Sequence, residues 1–585
     1  HCGDGGLRGE LSFDGLGDRY SAALLKIRWL DGQTRVHTLT GAQPYSPEGT
    51  ILTHVAVQGT ALPERQGPAE WRRILADTAG PGYVVQLTAA RLRLPTPAAP
   101  GDSVVLEIGW NQRVPREGGP RTGWDDTLGA RAFQVSQWYP QVAAYDDVHG
   151  WDPTPYLGTG ELYTPFGDFD VALTVPSGHL VGATGELQNA EEVLPAPVLG
   201  RLRRTMTSDA PVEVVTEADL DARRATRPGT GGKVTWRFRA RDVRDFAFGT
   251  SGRYVWRAGR IRIPGGDGRT RDVAMHVLNR PGAAGWAQVP GDLRHTIEFY
   301  SAALIPYIYP QITAVEGPVA GMEHPQLVFI GRVDDPDVMR YLVIHEAGHE
   351  WFPMMVQQDE AAYAWMDEGL NTYYDELAQH AAVPDSQFHG GSLRGYLEIA
   401  GTRTESPLST HIDRVESEAW GVAGYSKPAL LTRALRSIVG DETFERTMRT
   451  YTRDWLLKHP TPWDFFNAFE REHGQDLDWF WHPWWFTTRT LDQAVAAVEP
   501  MAGGVRVTVE DRGRIAVPTR LLLTLQGGAT VRAEIPVARW LDGGTRSVAI
   551  EVPAAAPVVR VEIDPEEFFP DVRPENDVWP AAAAP

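Results

Sequence analysis

The feature that most constrains this chain is a pair of histidines four residues apart, His345 and His349, with Glu346 between them. The preceding residues favour a helix, because Asp335 can cap the first turn and apolar residues then recur at helical spacing until Pro353 discourages continuation. Residues four apart lie on one face of a helix, so the two imidazoles can point at one metal ion. The segment is therefore predicted to bind a metal.

A third ligand is expected a little further along the chain. Eighteen residues separate His349 from Glu368, which lies in a second segment of helical spacing that opens at Trp365. Two histidines and one carboxylate leave the fourth position of zinc open, as catalytic sites do, and Glu346 can act on a water there without being a ligand. The pattern predicts a zinc hydrolase. The alternative is a solvated helix with two unrelated histidines.

Three motifs resemble those of the aminopeptidase N-type zinc aminopeptidases, which are gluzincins with a thermolysin-like catalytic domain. The family has His-Glu-x-x-His, eighteen residues and then Asn-Glu-Gly, where this chain has Asp367-Glu368-Gly369. The family's Gly-Ala-Met-Glu-Asn signature is similar to Ala320-Gly321-Met322-Glu323-His324, and its Tyr-Glu-Lys-Gly segment is similar to Tyr425-Ser426-Lys427-Pro428. The motifs occur in the order and near the spacing of the family.

The resemblance implies a role for each residue of the site. His345, His349 and Glu368 would hold one zinc ion per chain, and Glu346 would be the general base that activates water. Tyr425 would donate a hydrogen bond to the carbonyl oxygen as that oxygen gains negative charge. Together these residues imply hydrolysis of a peptide bond.

Glu323 distinguishes an aminopeptidase from other peptidases. A free amino terminus is mostly cationic at neutral pH, so a carboxylate at the end of the cleft would pair with it and hold the first peptide bond over the zinc. Gly321 would let the backbone approach the substrate closely. Many family members add an acid or amide from the β domain. Gln137 or Gln134 substitutes for it, or the contact is absent, because Tyr139 stands at the expected position.

The fold class implied by the resemblance is an α+β multidomain protein. We expect an N-terminal saddle-shaped β domain over residues 1–254 and a thermolysin-like α/β catalytic domain over residues 255–492. A small C-terminal β-sandwich is expected over residues 493–575, followed by a tail over residues 576–585. We expect no counterpart of the large helical C-terminal domain of longer family members within these residues.

Local patterns agree with this division. Thr461 and Gly474 read as the start and stop of one helix, and the aromatic run 479–486 is interpreted as packing side chains rather than as a binding platform. Segments with strand-like alternation or turn-bounded apolar runs fall at residues 22–29, 34–39, 84–87, 103–108, 505–509 and 558–563.

The net charge of the chain disfavours nucleic acid as a partner. Lys and Arg total 56 against 76 Asp and Glu, a net charge of −20, which disfavours nucleic acid because phosphate binding needs a basic face. The expected partners are peptide substrates with a free amino terminus. No apolar run is long enough for a transmembrane helix, and Cys2, the single cysteine, allows no intrachain disulfide. A periplasmic or secreted location is favoured over the cytoplasm, and the oligomeric state stays open.

Two other functions compete with the aminopeptidase hypothesis. A zinc endopeptidase would use the same metal ligands and general base, and Glu323 argues against it. A catalytically silent peptide-binding protein of the same fold is the second alternative, and the intact Glu346 argues against it because a binding protein does not need a general base.

Overall fold

The computed structural model describes residues 5–12, 20–26, 50–74, 76, 80–116, 121–156, 160–161, 163–265, 268–384, 388–542 and 544–580, with the backbone alone for 5–12, 20–26 and 388–390. The chain packs into two compact units. Unit 1 comprises His1–Ala361 and Trp455–His459, and unit 2 comprises Ala362–Asp454 and Pro460–Pro585.

Unit 1 is built mainly from β-strands. In chain order they are β1 Gly5–Ser12, β2 Tyr20–Lys26, β3 Thr50–Val57, β4 Thr60–Ala61, β5 Gly82–Gln86, β6 Ala89–Ala98, β7 Ser103–Gln112, β8 Gly123–Asp125, β9 Ala132–Val135, β10 Gln141–Val142, β11 Tyr145–Asp146, β12 Gly150–Trp151, β13 Gly167–Pro176, β14 Leu180–Ala183, β15 Glu186–Leu187, β16 Val212–Val215, β17 Lys233–Val243, β18 Phe248–Ser251, β19 Val255–Pro264, β20 Thr270–Asn279, β21 Gln311–Glu316, β22 Gly321–His324 and β23 Leu327–Ile330.

Most of these strands form small antiparallel sheets. Their strand orders are β1-β7-β3-β4, β10-β2-β6-β5, β11-β12, β13-β17-β15 and β14-β18-β9-β8. Alternating side chains bury one face of the longer strands, as β7 shows with every second residue from Val104 to Trp110 buried. One hydrophobic core, which includes Trp110, Trp236, Trp256 and Phe329, runs through this part of the unit.

The helices of unit 1 lie mostly in its second half. They are α1 Pro68–Arg73, α2 Ala190–Val193, α3 Ala196–Arg204, α4 Glu217–Asp221, α5 Val289–Ala303 and α6 Pro336–Gly348, with short 3-10 turns at Thr230–Gly232 and Ala284–Ala287.

A six-stranded mixed sheet positions the candidate site. Its order is β16-β19-β20-β21-β23-β22, in which β20, β21 and β23 run parallel and β22 is an antiparallel edge strand. The strands β21 and β23 are buried throughout, as expected for central parallel strands. The helix α5 connects β20 to β21 as a crossover, and α6 packs on α5, β22 and β23.

The helix α6 begins as predicted and ends earlier than predicted. The Asp335 carboxylate accepts hydrogen bonds from the backbone N–H groups of Asp337 and Val338, at 2.9 and 3.1 Å. The helix stops at Gly348 rather than continuing towards Pro353. His349 still has helical backbone angles, and its N–H donates to the carbonyl of His345 at 3.3 Å. The two histidines therefore keep the spacing of one helical turn.

Unit 2 contains a group of helices followed by strands. The helices are α7 Leu370–Ala382, α8 Phe388–Ile399, α9 Lys427–Val439, α10 Asp441–Asp454, α11 Pro462–His473, α12 Asp478–Trp485 and α13 Ala538–Leu541, with π-helical turns at Trp365–Gly369 and Val422–Ser426 and 3-10 turns at Ile412–Arg414, Ser417–Ala419 and Pro574–Asn576.

The helix α11 and the aromatic run confirm two sequence predictions. Thr461 caps α11 through a reciprocal bond with Asp464, and Gly474 ends it in the left-handed conformation. The run 479–486 forms α12, and its Phe480, Trp481, Trp484 and Trp485 are buried. Trp481 stacks on Phe466 with ring centroids 4.5 Å apart. These aromatics therefore pack the interior of the unit.

The last part of unit 2 consists of two antiparallel sheets that share a hydrophobic core. Their strand orders are β24-β25-β28 and β27-β26-β29-β30. The strands are β24 Gln493–Met501, β25 Gly504–Asp511, β26 Thr519–Leu525, β27 Thr530–Ile535, β28 Ser547–Pro553, β29 Val558–Ile563 and β30 Val578–Trp579.

The strands predicted at residues 84–87, 103–108, 505–509 and 558–563 are confirmed by β5, β7, β25 and β29. The strand predicted at residues 22–29 is present as far as Lys26, and the turn and strand predicted at residues 31–39 lie outside the described residues, as do Cys2 and the end of the tail at 581–585. The predicted domain limits stay predictions. No described helix has the length and apolar content needed to cross a bilayer.

Candidate metal centre

Two histidine side chains converge at the end of α6. The Nε2 atoms of His345 and His349 lie 3.2 Å apart, and the ring planes are nearly perpendicular. Both residues are buried, with 6% and 1% of their surface exposed. The one-turn spacing of the motif therefore aims two ring nitrogens at one point, as the sequence predicts.

The surroundings of each ring fit a metal ligand. The Nδ1 atom of His349 lies 2.9 Å from the carbonyl oxygen of Phe352, so Nδ1–H donates there and the Nε2 lone pair faces His345. The ring of His345 stacks on Tyr341 with centroids 5.7 Å apart. Neutral imidazole nitrogens held in this way are common zinc ligands. The residues of unit 1 therefore fit a zinc ion.

Glu346 lies against the edge strand β22. It is buried, and a Cβ added to Gly321 would overlap with its Oε1 atom. The absence of a side chain at position 321 therefore gives the Glu346 carboxylate its space. This is a different use of Gly321 from the close substrate approach expected from the sequence, which stays a prediction.

Glu323 extends from the same edge strand. It is 4% exposed, and its Oε1 atom has no hydrogen-bond partner among the described residues. A Glu323 carboxylate oxygen and a His349 ring nitrogen lie within 4.8 Å of each other. Unit 1 therefore places a buried carboxylate beside the histidine pair, on a rigid strand.

An arginine that the sequence reasoning missed sits near this carboxylate. Arg121 is buried, pairs with Glu161 and lies 2.8 Å from the Met322 sulfur through Nη1. Burial lowers the pKa of Arg121, but the negative charges of Glu161 and of Glu323 outweigh it and hold the pKa well above its usual value. Arg121 therefore stays charged.

His324, which replaces the asparagine of the family signature, belongs to a buried hydrogen-bond network. Its Nδ1 lies 2.9 Å from Asp245, which also accepts from Tyr139 and Gln141 at 2.9 and 2.7 Å. Burial raises the pKa of Asp245, but the hydrogen bond and charge of His324 lower it below its usual value. Burial and the charge of Asp245 raise the pKa of Tyr139. The Tyr139 hydroxyl is therefore committed to this network.

Gln137 has an unusual environment for an amide. Its φ is 51°, it is 3% exposed, and neither Nε2 nor Oε1 has a hydrogen-bond partner within the described part of the chain. Gln134 differs, because its Nε2 donates to the carbonyl of Arg121 at 3.1 Å. A positive φ and a buried amide without partners each cost free energy.

Glu368 and Tyr425 come together in unit 2. Each lies in a π-helical turn, which is frequent at functional sites, and the Tyr425 hydroxyl donates to Oε1 of Glu368. Lys427 follows in α9 and forms a buried ion pair with Glu405 at 2.8 Å. This pair holds the start of α9, and with it the turn that carries Tyr425.

The structure thus groups the predicted residues within each unit. Unit 1 brings together His345, His349, Glu346, Gly321 and Glu323, and it also contains Gln137. Unit 2 brings together Glu368 and Tyr425. Sequence reasoning missed Arg121 and Asp245, because neither lies in a motif and both reach the site through contacts distant in sequence.

The structure thus places a His-Glu-x-x-His helix on a mixed sheet that carries a buried glutamate on its edge strand. Residues 295–484 match the model of the peptidase family M1 domain. The matched residues include His345, His349, Glu368 and Tyr425, so this part of the chain is similar to that family.

The curated relatives match only part of the chain. Aminopeptidase M1-A of Oryza sativa subsp. japonica is 27% identical over 149 residues, which are 24% of this chain and 17% of that protein. The chain thus aligns with about a sixth of the length of this curated relative.

Solved structures share the fold over more of the chain. Aminopeptidase A of Legionella pneumophila, in complex with aspartic acid, has a TM-score of 0.61 at 12% identity and covers 97% of this chain and 57% of its own. A mutant M1 zinc metallopeptidase of Deinococcus radiodurans, bound to a Tyr-Ser-Ala substrate, has a TM-score of 0.53 at 15% identity. The match covers 82% of this chain and 89% of that chain. Both show a multidomain mixed α/β fold.

Proposed function

We propose that the protein is a zinc metallo-aminopeptidase that removes the amino-terminal residue from peptides. The observation that carries this proposal is the His345–His349 pair, with ring nitrogens 3.2 Å apart, beside the buried carboxylate of Glu323. The family match and the substrates named for the similar structures support it. The pair supplies metal ligands, and the carboxylate supplies a counter-charge for an amino terminus.

The metal would be held by three side chains. His345 and His349 supply nitrogen ligands, and Glu368 is assigned as the third ligand from its eighteen-residue interval and Glu-Gly context. We expect one zinc ion per chain. When bound, zinc would acidify a water molecule and polarise the scissile carbonyl.

Glu346 would accept the proton of the attacking water and pass it to the leaving amine. A general base of this kind contributes roughly 10²- to 10⁴-fold to the rate. The close fit against Gly321 restricts the positions open to the carboxylate. The edge strand and the helix therefore orient the base together.

Glu323 would bind the amino terminus of the substrate. Its buried and unpartnered Oε1 can accept a charge-assisted hydrogen bond from an ammonium group, and Gln137 offers a second buried acceptor, its Oε1. Because Tyr139 is committed to Asp245, the amide at position 137 is the better candidate for the contact from the β domain. Together the two residues would select a free amino terminus.

Tyr425 would stabilise the carbonyl oxygen as it becomes negative. Its hydroxyl is a donor, and the hydrogen bond to Glu368 holds the phenol in one orientation.

For the domain architecture, we assign the N-terminal sheets to the saddle-shaped β domain and the two C-terminal sheets to a small β-sandwich.

The experiment compares matched chromogenic substrates. Aminoacyl p-nitroanilides with a free amine, and the same compounds acetylated on the amine, are assayed with and without a zinc chelator. We expect hydrolysis of the free compounds alone, loss of activity with chelator, and recovery on adding zinc. Equal hydrolysis of both series would indicate an endopeptidase, and no hydrolysis by zinc-loaded protein would indicate the silent binding protein.

Glu346→Gln separates chemistry from binding. We expect it to lower kcat by 10² or more while the zinc content is kept, because the amide cannot accept the proton. Glu186→Gln, an exposed glutamate on β15, is the control and should leave kcat unchanged. Full activity of Glu346→Gln would remove the general base from this proposal.

A further inference from the structure

A small cavity in unit 2 lies among the C-terminal strands. Its volume is about 80 Å³, and three aspartates, Asp564, Asp571 and Asp577, line it together with Glu567. The remaining wall is largely apolar and includes Leu491 and Phe569. None of the residues that line it belongs to the candidate metal centre. The cavity therefore combines carboxylates with hydrocarbon walls.

Two carboxylate oxygens of this cavity are unsatisfied. Asp577 is 8% exposed, and its Oδ1 has no hydrogen-bond partner among the described residues. The Oδ1 of Asp564 is also buried without a partner there, while its Oδ2 accepts from the N–H of Phe569 at 2.7 Å. Such atoms are rare in folded proteins, since burial without a partner costs free energy. The Nε2 of Gln493, which also lines the cavity, is an unpartnered donor that bonds to neither oxygen, so both oxygens stay open to a bound donor.

The third carboxylate is satisfied by backbone groups. Asp571 accepts from the N–H of Gln493 at 2.7 Å and from the N–H of Arg573 at 2.8 Å. These bonds fix the carboxylate and leave its charge without a counter-ion.

The charge of the cavity is also uncompensated. Among the described residues, no lysine or arginine nitrogen lies within 4.0 Å of the three carboxylates. Arg573 is directed instead to Asp492, at 3.6 Å, and Arg520 acts on Asp564 from a greater distance.

Burial is the largest influence on the pKa values of the three aspartates in the cavity. Burial raises the pKa of Asp564 to about 6. Burial raises the pKa of Asp571 against the lowering effect of its backbone hydrogen bonds. Burial, followed by the charges of Asp571 and Asp564, raises the pKa of Asp577. A bound cation would relieve this repulsion and lower all three.

We propose that this cavity binds the ammonium group of a primary alkylamine, with Asp564 and Asp577 as hydrogen-bond acceptors. An ammonium has three donors, which suit the unsatisfied oxygens, and its methylene chain suits the apolar wall. A metal ion fits less well, because the oxygens of the three described carboxylates do not all lie within 4.8 Å of one another. The amine is either a free diamine or a lysine side chain, since both present the same group.

The test is titration calorimetry on the full, zinc-loaded chain at pH 8. Cadaverine represents the free diamine and N-acetyl-lysine methylamide represents the side chain, and the tighter binder identifies the source. We expect one saturable site whose affinity falls at least tenfold in Asp577→Asn and in Asp564→Asn. Glu323→Gln distinguishes this site from the candidate amine site and should leave the affinity unchanged.

Two controls make the result decisive. Asp476→Asn removes an equal charge from an exposed position and should not change binding. Asp577→Asn is expected to fold, because burial already favours the uncharged carboxyl group and the amide has nearly the same shape. Asp564→Asn carries the test if it does not. Binding that survives both substitutions, absence of binding by either amine, or saturable Ca²⁺ binding in place of the amines would overturn the proposal.

Discussion

The Glu346 carboxylate occupies the space where a side chain of residue 321 would lie. Gly321 is on the edge strand β22 and Glu346 is on α6, which packs against that strand. The glycine has no positive φ, so its role here is spatial and not conformational. The contact makes one small residue responsible for the position of the candidate general base.

Gly321→Ala should therefore displace Glu346 without removing the metal ligands. We expect kcat for an aminoacyl p-nitroanilide to fall by roughly 10²-fold, the lower part of the range for loss of a general base, with the zinc content kept. The control is Gly291→Ala in α5, where an added Cβ meets open space. Unchanged kcat in Gly321→Ala would show that the carboxylate relaxes at no cost.

Tyr425→Phe removes the hydroxyl that donates to Glu368. We expect kcat to fall by about 10²- to 10³-fold with little change in KM, as for the loss of one oxyanion donor. Tyr396→Phe is the matched control, because the Tyr396 hydroxyl is buried and has no partner within the described chain. An equal change of kcat in both variants would assign the Tyr425 effect to packing.

Gln137→Gly removes a buried amide and, because glycine adopts a positive φ without steric cost, also the backbone strain at this position. We expect the protein to become about 1 kcal/mol more stable to unfolding, since strained backbone and unpaired polar groups each cost free energy. KM for substrates with a free amine should rise by roughly tenfold, as when one charge-assisted hydrogen bond is lost. Thermal unfolding and steady-state kinetics measure the two effects.

Gln58→Gly is the control for this change. Gln58 also has a positive φ, of 50°, but it is exposed on the turn after β3. It should show a similar relief of strain and an unchanged KM. A rise in KM for Gln58→Gly as large as that for Gln137→Gly would contradict a specific role of the amide.

Asp292 should make stability depend on pH. Burial raises its pKa to about 6, against the opposing charge of Arg340. The folded pKa is above the unfolded value, so the contribution of Asp292 is most favourable below the unfolded pKa near 4 and is lost as the pH rises through 6. Asp292→Asn should remove this loss, on the order of 1 kcal/mol after allowance for solvent screening.

The measurement is the stability difference between wild type and Asp292→Asn, by thermal unfolding, at pH 4.5 and pH 7.5. Because the other carboxylates titrate in both proteins, their effect on stability cancels when the two proteins are compared at the same pH. We expect the variant to gain relative to wild type at the higher pH. A difference that does not change with pH would mean that Asp292 titrates normally.

Local sequence signals predicted much of the framework of the site. Asp335 caps α6, and His345 and His349 keep the spacing of one turn, because capping and helical periodicity depend on neighbours in the chain. These features are encoded over a few residues.

Other features depend on contacts between distant segments. The bond between Tyr139 and Asp245 joins residues 106 positions apart, and no local pattern indicates it. The contact between Gly321 and Glu346 and the cavity around Asp577 arise in the same way, from packing of one element on another. The earlier end of α6, at Gly348, reflects tertiary packing in addition to Pro353.

The zinc content of the purified protein tests the central claim most directly. Elemental analysis after dialysis against a weak chelator should find about one zinc per chain in the wild type. His349→Ala and Glu368→Gln should each lose most of it at the same chelator concentration, while Asp476→Asn keeps it. Wild-type protein without zinc, or zinc that remains in both ligand variants, would contradict the account.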